Sequence, residues 1–149
     1  MNDSLPERPL LGLLLRLLNQ HYNADVHEAL RAHGFGDIGA SHSNVFVFVP
    51  AEGIAISELA RLARVRRQSM TQAVRELASA GYVELRDNPA DRRSKLVLLT
   101  DRGQAVGPVA VEAGRRVEES WAALTSHEQV ESLRAALTEL LVTLRGQEK

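Results

Sequence analysis

The sequence predicts a mainly α-helical protein with one small β element. Residues 9–33 and the C-terminal stretch from about 102 repeat apolar residues at three- and four-residue steps, the period of an amphipathic helix. Between them, "YVELR" (82–86) and "KLVLL" (95–99) are two β-rich runs that bracket the polar segment "DNPADRRS". This order predicts helices, a hairpin and further helices in a single domain covering residues 1–149.

The composition is ordinary for a globular protein, but the charge is unevenly distributed. The absence of cysteine excludes disulfides, thiolate zinc sites and thiol redox chemistry. No apolar run is long enough to span a membrane and no secretory signal is recognisable, so a cytoplasmic location without membrane contact is predicted. Residues 54–103 carry ten Arg or Lys against six Asp or Glu, whereas the remaining residues carry eight against thirteen. This asymmetry indicates a polyanionic partner for the middle segment, although a solvated charged face would give it too.

The first helix, residues 9–33, carries more apolar residues than one small core needs. One face is formed by Leu11, Leu14, Leu18, Tyr22 and Val26. Four more leucines widen it, namely Leu10, Leu13, Leu15 and Leu17. A helix that is apolar on so many sides is typically buried by more than its own chain, which indicates an oligomer.

The segment "SHSNVFVFVP" (41–50) is ambiguous. Its alternating valines and phenylalanines favour a strand by propensity. Ser41 could instead cap a helix that Pro50 and Gly53 would end. Local propensity alone favours the strand.

Residues 56–85, "ISELARLARVRRQSMTQAVRELASAGYVEL", are the clearest part of the chain. Ser57 is the predicted N-cap of a short amphipathic helix that Val65 closes. A second helix follows, ended by Gly81 at C′, and its inward face is Met70, Ala73, Val74 and Leu77. Two short helices with a tight turn form a helix-turn-helix pattern, and the hairpin directly after it is a wing.

The C-terminal part predicts two more helices. Thr100 and Asp101 cap a helix from about 102 to 122, whose apolar side is Val106, Val109, Ala113 and Val117. Thr125 to Glu128 form a predicted capping box, in which Glu128 reaches back to the Thr125 amide. The last helix carries a heptad seam that suits a partner helix, formed by Val130, Leu133, Leu137, Leu140 and Leu144.

These motifs together resemble the MarR family of bacterial transcriptional regulators. The family's wing signature is D-x-R, five residues, then L-T, and here it reads Asp91, Arg93, Leu99 and Thr100, followed by "DRG". The helix-turn-helix of residues 56–85 aligns with the family's without a gap. The resemblance implies a winged helix-turn-helix over 41–103, with a recognition helix at about 67–80 and a wing at about 82–100. It also implies that 41–50 is helical, against local propensity.

As a member of such a family, the chain is expected to be a homodimeric, sequence-specific DNA-binding regulator, a repressor of neighbouring genes. Residues 9–33 and 104–146 would be the intertwined dimerisation helices, with contacts from Leu11, Leu14, Leu18, Leu133, Leu137, Leu140 and Leu144. The expected partners are a pseudo-palindromic double-stranded DNA operator, a second copy of the chain, and a small aromatic or other apolar ligand that releases DNA.

The expected DNA contacts divide between helix and wing. Arg93 would enter the minor groove, Asp91 would orient its guanidinium, and Arg92 would meet phosphate. On the recognition helix, Gln and Arg side chains suit base edges, whereas Ser and Thr suit phosphate or either base. The complete expected set is Arg66, Arg67, Gln68, Ser69, Thr71, Gln72, Arg75, Asp91, Arg92, Arg93 and Lys95. An ordinary hairpin tip with a local ion pair is the alternative for the wing.

One departure from the family pattern concerns the start of the recognition helix. Arg66 and Arg67 stand where many members have Ser or Thr, so a side-chain N-cap is lost and two cations lie near a positive helix end. This arrangement makes sense if DNA phosphate supplies the anion, and plain surface charge is the alternative. Arg61 and Arg64, on the preceding helix, are expected to be solvated or to pair between subunits.

No catalytic motif, cofactor site or metal-ligand spacing is recognisable, so the chain is not expected to be an enzyme. The resemblance places His42 near the family's ligand cavity, with His21 and Phe46 as its neighbours, although a structural role suits this histidine better. The alternative function is a winged-helix module for protein interaction or RNA binding.

Overall fold

A computed structural model describes residues 5–147. It is mainly helical with one small antiparallel sheet, which confirms the predicted fold class. The elements in chain order are α1 (Leu11–Ala32), a 3-10 helix (Ala40–His42), α2 (Ser43–Phe48), β1 (Ile54–Ala55), α3 (Ile56–Leu62), α4 (Arg67–Ser79), β2 (Val83–Asp87), β3 (Lys95–Leu99), α5 (Asp101–Gln104), α6 (Val106–Leu124) and α7 (His127–Gln147). Over the part of the chain described, none of these helices combines the length and apolarity needed to cross a bilayer.

The segment 41–50 is helical, so the strand favoured by local propensity is wrong and the helix implied by the resemblance is confirmed. Burial explains why a helix forms despite the β propensity of this segment, because Val45 and Val49 are one helical turn apart and both lie in the core. Ser41 lies inside the 3-10 helix rather than capping a helix. At the start of the 3-10 helix, the backbone N–H of Gly39 donates to Nδ1 of His42, at 3.0 Å.

The helix-turn-helix consists of α3 and α4. The predicted cap at Ser57 is wrong: α3 begins at Ile56, directly after strand β1, and Ala55 occupies the N-cap position. The helix ends with Arg64 in the left-handed region, φ 53°, and Val65 N–H donates to the Ala60 carbonyl at 3.1 Å. This six-to-one bond is that of a Schellman motif, so a non-glycine residue adopts the conformation that turns the chain into α4.

The wing belongs to a three-stranded sheet of order β1-β3-β2. Strands β2 and β3 pair from Val83 opposite Leu99 to Asp87 opposite Lys95, within one residue of the predicted hairpin. The sequence did not predict β1, whose two residues pair with Val97 and Leu96. This short strand connects the start of α3 to the wing, so helix-turn-helix and hairpin share one sheet.

Two predictions for the C-terminal helices need correction. The helix expected from 102 to 122 is divided into α5 and α6 at Ala105. Pro108 has no N–H to donate to the Gln104 carbonyl four residues earlier, which accounts for the break. The Thr100 cap is confirmed, because its hydroxyl accepts from Gly103 N–H at 3.2 Å. The capping box at Thr125 is wrong, since the Thr125 amide donates to the Trp121 carbonyl.

The start of α7 is instead capped by the next residue, Ser126. Its hydroxyl oxygen accepts from Gln129 N–H at 3.1 Å, the bond that an N-cap serine makes to N3. The predicted cap was therefore displaced by one position. The Thr125 amide and hydroxyl both complete the end of α6.

The core lies mainly in the winged half. Buried side chains from α2, α3, α4 and the sheet form one cluster, with Tyr82, Leu59, Met70 and Leu77 as its largest fully buried members. The second half consists of α1 packed on α6, where the Tyr22 and Trp121 rings meet edge to face at 6.3 Å. Helix α7 contacts α6 but buries none of its described residues completely.

Candidate nucleic-acid interface

Helix α4 divides into an apolar face and a polar face. Met70, Ala73, Val74 and Leu77 are buried in the core, as the sequence predicted. The opposite face forms an open concave surface of about 920 Å³, whose polar lining is Ser41, Arg67, Gln68, Ser69, Thr71, Gln72, Arg75 and Glu76. All the recognition-helix residues proposed from the sequence, apart from Arg66, therefore line one surface. Ser41 and Glu76 are additions that the sequence did not indicate.

The start of α4 has the electrostatic character expected from its two arginines. Arg66 is the N-cap residue and provides no side-chain cap, and both Arg66 and Arg67 are exposed. The first-turn N–H groups of a helix have no partner within the helix. An uncapped helix start beside two guanidinium groups can accept an anion such as a phosphate.

The side chains on this polar face are not equally available for contact. Thr71 donates its hydroxyl to the Arg67 carbonyl at 2.8 Å, so its oxygen keeps only acceptor capacity. Gln72 donates its amide N–H to Oε1 of Glu76 at 2.7 Å. Oε2 of the same carboxylate lies 2.7 Å from Nε2 of His42. The hydrogen bonds from His42 and then Gln72 lower the pKa of Glu76.

The three residues placed near a ligand cavity from the sequence do not come together. His42 is buried, with 7 % exposure, and is engaged by Gly39 and Glu76. His21 lines an apolar groove beside Leu18 and Trp121. Phe46 lines a separate cavity of about 290 Å³.

The wing tip, residues 88–94, is held by its own polar side chains. Asn88 Oδ1 accepts from Ala90 N–H at 3.0 Å, and Asn88 Nδ2 donates to Ser94 Oγ at 2.9 Å. Asp91 Oδ1 accepts from the backbone N–H of Arg93 at 2.9 Å. The expectation that Asp91 orients the Arg93 guanidinium is thus corrected, because in this structure the carboxylate holds the backbone of that arginine.

The cations of the wing differ in their surroundings. Arg92 and Arg93 are exposed at the tip. Lys95 pairs with Asp87 across the hairpin, at the end of the strands next to the tip, and lowers the pKa of that carboxyl. Arg92 and Arg93 can therefore meet an external anion directly, whereas Lys95 would first have to leave its partner.

The base of the wing is fixed by a buried tyrosine. Tyr82 is completely buried and donates its hydroxyl to Asp37. Arg102 donates to the same hydroxyl oxygen at 3.0 Å, and its guanidinium carbon lies 4.4 Å from the centre of the ring. Burial raises the pKa of Tyr82. These contacts tie the start of β2 to α5 and to the loop before the 3-10 helix.

The leucines expected at a dimer interface lie on α1 and α7. Leu11 is 71 % exposed, and Leu133, Leu140 and Leu144 are each 43–50 % exposed. Leu18 and Leu133 belong to an apolar groove of about 520 Å³ with Trp121, Leu124 and Val130. In the portion covered by the structure, no group of three or more His, Asp or Glu side chains could hold a metal ion.

Comparisons with known proteins give the same assignment as this geometry. A family model described as the MarR family matches residues 37–94, which include the 3-10 helix, the helix-turn-helix and the wing tip. The apo form of wild-type MarR from E. coli is 27 % identical, with a TM-score of 0.77 over 91 % of this chain and 99 % of that chain. The winged helix-turn-helix of this chain therefore matches the MarR family of transcriptional regulators, and its fold is similar to that of E. coli MarR.

Two further relatives are informative. A cysteine-to-serine mutant of E. coli MarR, solved in complex with operator DNA, is 27 % identical, with a TM-score of 0.71 over 88 % of this chain and 93 % of that chain. An uncharacterized protein of Mycobacterium tuberculosis is 27 % identical over 99 residues, which are 66 % of this chain and 69 % of that protein.

Proposed function

We propose that the chain is a homodimeric DNA-binding regulator that represses neighbouring genes through a pseudo-palindromic operator. The observation that carries this proposal is the polar face of α4, whose exposed Gln, Ser and Arg side chains form one concave surface beside two wing arginines. Gln and Arg can bond base edges in the major groove bidentately. The E. coli MarR mutant in complex with operator DNA, similar over most of this chain, supports duplex DNA as the ligand.

The helix and the wing would have different tasks. Gln68, Gln72 and Arg75 would read bases, while Arg66 and Arg67 would bind phosphate at the uncapped start of α4. Arg93 would enter the minor groove, where a narrow A·T-rich segment concentrates negative potential, and Arg92 would meet phosphate. Asp91 would act through the backbone of Arg93, by fixing the path of the wing tip.

Dimerisation would use α1 and α7. Both helices leave leucines exposed, and an apolar patch of this kind on a single chain is typical of an interface. A two-fold dimer places one recognition helix in each half-site, about 10 base pairs apart from centre to centre. Footprinting should therefore protect two related half-sites.

A small apolar or aromatic ligand would act at the junction of the two halves. The cavity of about 290 Å³ lies between α1, α2 and α6, and its lining includes Tyr22, Phe46 and Val106. These helices join the terminal half to the recognition half. A ligand there could change the separation of the recognition helices and so release the operator.

The experiment is a binding titration on duplex DNA that flanks the protein's own gene, at several salt concentrations. The wild type should bind with a steep salt dependence. Arg93→Ala should weaken binding to every operator variant and reduce the salt slope by about 0.9 for each phosphate that is no longer neutralised. The control is Arg116→Ala, which removes the same charge from exposed α6.

Two results would contradict the proposal. Arg93→Ala binding duplex DNA as tightly as the wild type at every salt concentration would exclude the wing as a DNA element. A preference for single-stranded RNA, or no binding to nucleic acid at all, would favour the alternative of an RNA-binding or protein-interaction module.

A further inference from the structure

Three hydrogen bonds in series lead from the backbone of the 3-10 helix to a side chain on the recognition surface. They join Gly39 N–H to His42 Nδ1, His42 Nε2 to Glu76 Oε2, and Glu76 Oε1 to Gln72 Nε2, at 3.0, 2.7 and 2.7 Å. We infer that this chain of bonds fixes which end of the Gln72 amide faces DNA, so that His42 and Glu76 are positioning residues for base specificity. The inference rests on the proposed function.

The first bond determines the tautomer of His42. A backbone amide can only donate, so the Nδ1 atom that receives the Gly39 N–H carries no proton. The proton of the neutral ring must then be on Nε2, which points at Glu76. Since His42 is 7 % exposed, water does not compete for these positions.

The second and third bonds determine the orientation of Gln72. The hydrogen bonds that lower the pKa of Glu76 keep it ionised near neutral pH, and an ionised carboxylate only accepts. Gln72 therefore turns its NH₂ group toward Glu76 and its carbonyl oxygen away. The outward end of the amide presents an acceptor together with the second N–H.

This orientation selects among bases. Adenine offers an amino donor and the N7 acceptor in the major groove, which match the outward oxygen and the remaining N–H. Cytosine offers an amino donor alone. Guanine and thymine present acceptors where the Gln72 oxygen lies, so both are disfavoured. Gln72 should read adenine, with a preference of roughly tenfold or more over guanine and thymine.

The decisive variant is Glu76→Gln, which is nearly isosteric. The Nε2–H of His42 needs an acceptor, so the carbonyl oxygen of the new amide faces the imidazole and its NH₂ faces Gln72. Gln72 must then turn its own oxygen inward and present NH₂ outward. The preferred base at that position should change from adenine to guanine or thymine, an outcome that a purely structural role for Glu76 would not give.

The experiment first selects operators for the wild type from randomised duplex DNA. The position read by Gln72 is then identified as the one at which Gln72→Ala loses the base preference. Affinity is finally measured with each of the four bases at that position. Glu76→Ala should also relax that preference, and the Glu76→Ala, Gln72→Ala double variant should relax it no further. Glu58→Gln is the matched control: it makes the same change in a glutamate that pairs with Arg61 on α3. Glu58→Gln should keep adenine at that position.

A second measurement needs no DNA. Long-range ¹H–¹⁵N NMR of the imidazole in the free protein should show the His42 proton on Nε2, and thermal melting should show that Glu76→Gln is folded. A proton on Nδ1, or a wild type that selects guanine or thymine, would overturn the inference alone. An unchanged preference for adenine in Glu76→Gln would also overturn the inference. A wild type that enriches no duplex sequence would overturn the proposed function as well.

Discussion

The two halves of the molecule differ in how completely a single chain buries them. The winged half, from the 3-10 helix to β3, encloses a contiguous core in which Leu59, Val74 and Tyr82 have no exposed surface. The terminal half leaves leucines exposed on α1 and α7, and α7 buries none of its described residues. The winged half thus buries its core within one chain, whereas the terminal half leaves exposed the apolar surface that we propose for dimerisation.

Ion pairs occur in both halves of the molecule. Arg134 pairs with Glu131 and Glu118 in the terminal half, and Arg61 pairs with Glu58 in the winged half. Within residues 5–147, the four arginines proposed to meet phosphate or the minor groove form no ion pair; they are Arg66, Arg67, Arg92 and Arg93. Cations left without an internal partner are available to an external polyanion. Under the proposed function, one half would offer apolar surface to a second copy, and the other would offer charge to DNA.

Of the substitutions that test this comparison, Leu137→Asp in the middle of α7 should have the largest effect, on both dimerisation and stability. A carboxylate in a helix interface would be buried without a partner, at a cost of about 3 kcal/mol or more. Sedimentation velocity at micromolar concentration should show a monomer, and thermal unfolding should occur at a lower temperature. Ser132→Asp, at an exposed position of the same helix, is the control and should remain dimeric. A stable, folded wild-type monomer at micromolar concentration would show that the seam is not an interface.

Gly103→Ala should damage the winged half by about 1–3 kcal/mol, because it overpacks a buried contact. A Cβ atom there would overlap the Tyr82 carbonyl oxygen and lie 3.3 Å from Leu99 Cδ2. Chemical denaturation should show the same loss in the free energy of unfolding at every protein concentration. A defect at the dimer interface would instead give a loss that depends on concentration. Gly107→Ala is the control, since no heavy atom lies within 4 Å of an added Cβ and it should fold at least as stably.

The smallest effect concerns the ion pair that joins α6 to α7. Arg134 donates to both oxygens of Glu118, at 2.7 and 3.3 Å, and this hydrogen bonding lowers the pKa of Glu118 from its ordinary value of 4.5. A lowered carboxyl pKa contributes stability above pH 4.5 that is lost as pH falls through the folded-state pKa. Glu118→Gln should remove that part of the acid sensitivity in thermal melts taken between about pH 3 and 6. An unchanged pH profile would show that the pair contributes nothing measurable.

The sequence predicted the winged half best where its signals are local. The recognition helix was expected at about 67–80 and occupies Arg67–Ser79, and the second wing strand, 95–99, is where it was predicted. A helix period, a glycine at C′ and an alternating hairpin each act over a few residues, so the pattern alone specifies them. The DNA roles of the residues on these elements remain predictions.

Local signals failed where distant contacts or a neighbouring element decided the outcome. The β-rich residues 43–48 form a helix because the core buries Val45 and Val49 one turn apart. Ser57 and Thr125 have good capping side chains, but Ser57 lies inside α3, which begins directly after β1, and Thr125 completes the end of α6. Propensity and capping preferences are worth about 1 kcal/mol or less per residue, so tertiary packing overrides them.

The sequence by itself determined the order of the long helices and the hairpin, the amphipathic faces of the helices and the charge of the wing, because each depends on residues close together in the chain. Only the tertiary structure decided which side chains meet across it. His42 reaches Glu76 over 34 residues, and Tyr82 reaches Asp37 over 45. No periodic pattern links such positions, because their contact depends on the path of the whole backbone between them. The same path brings His42 to Glu76 and so sets the outward end of Gln72.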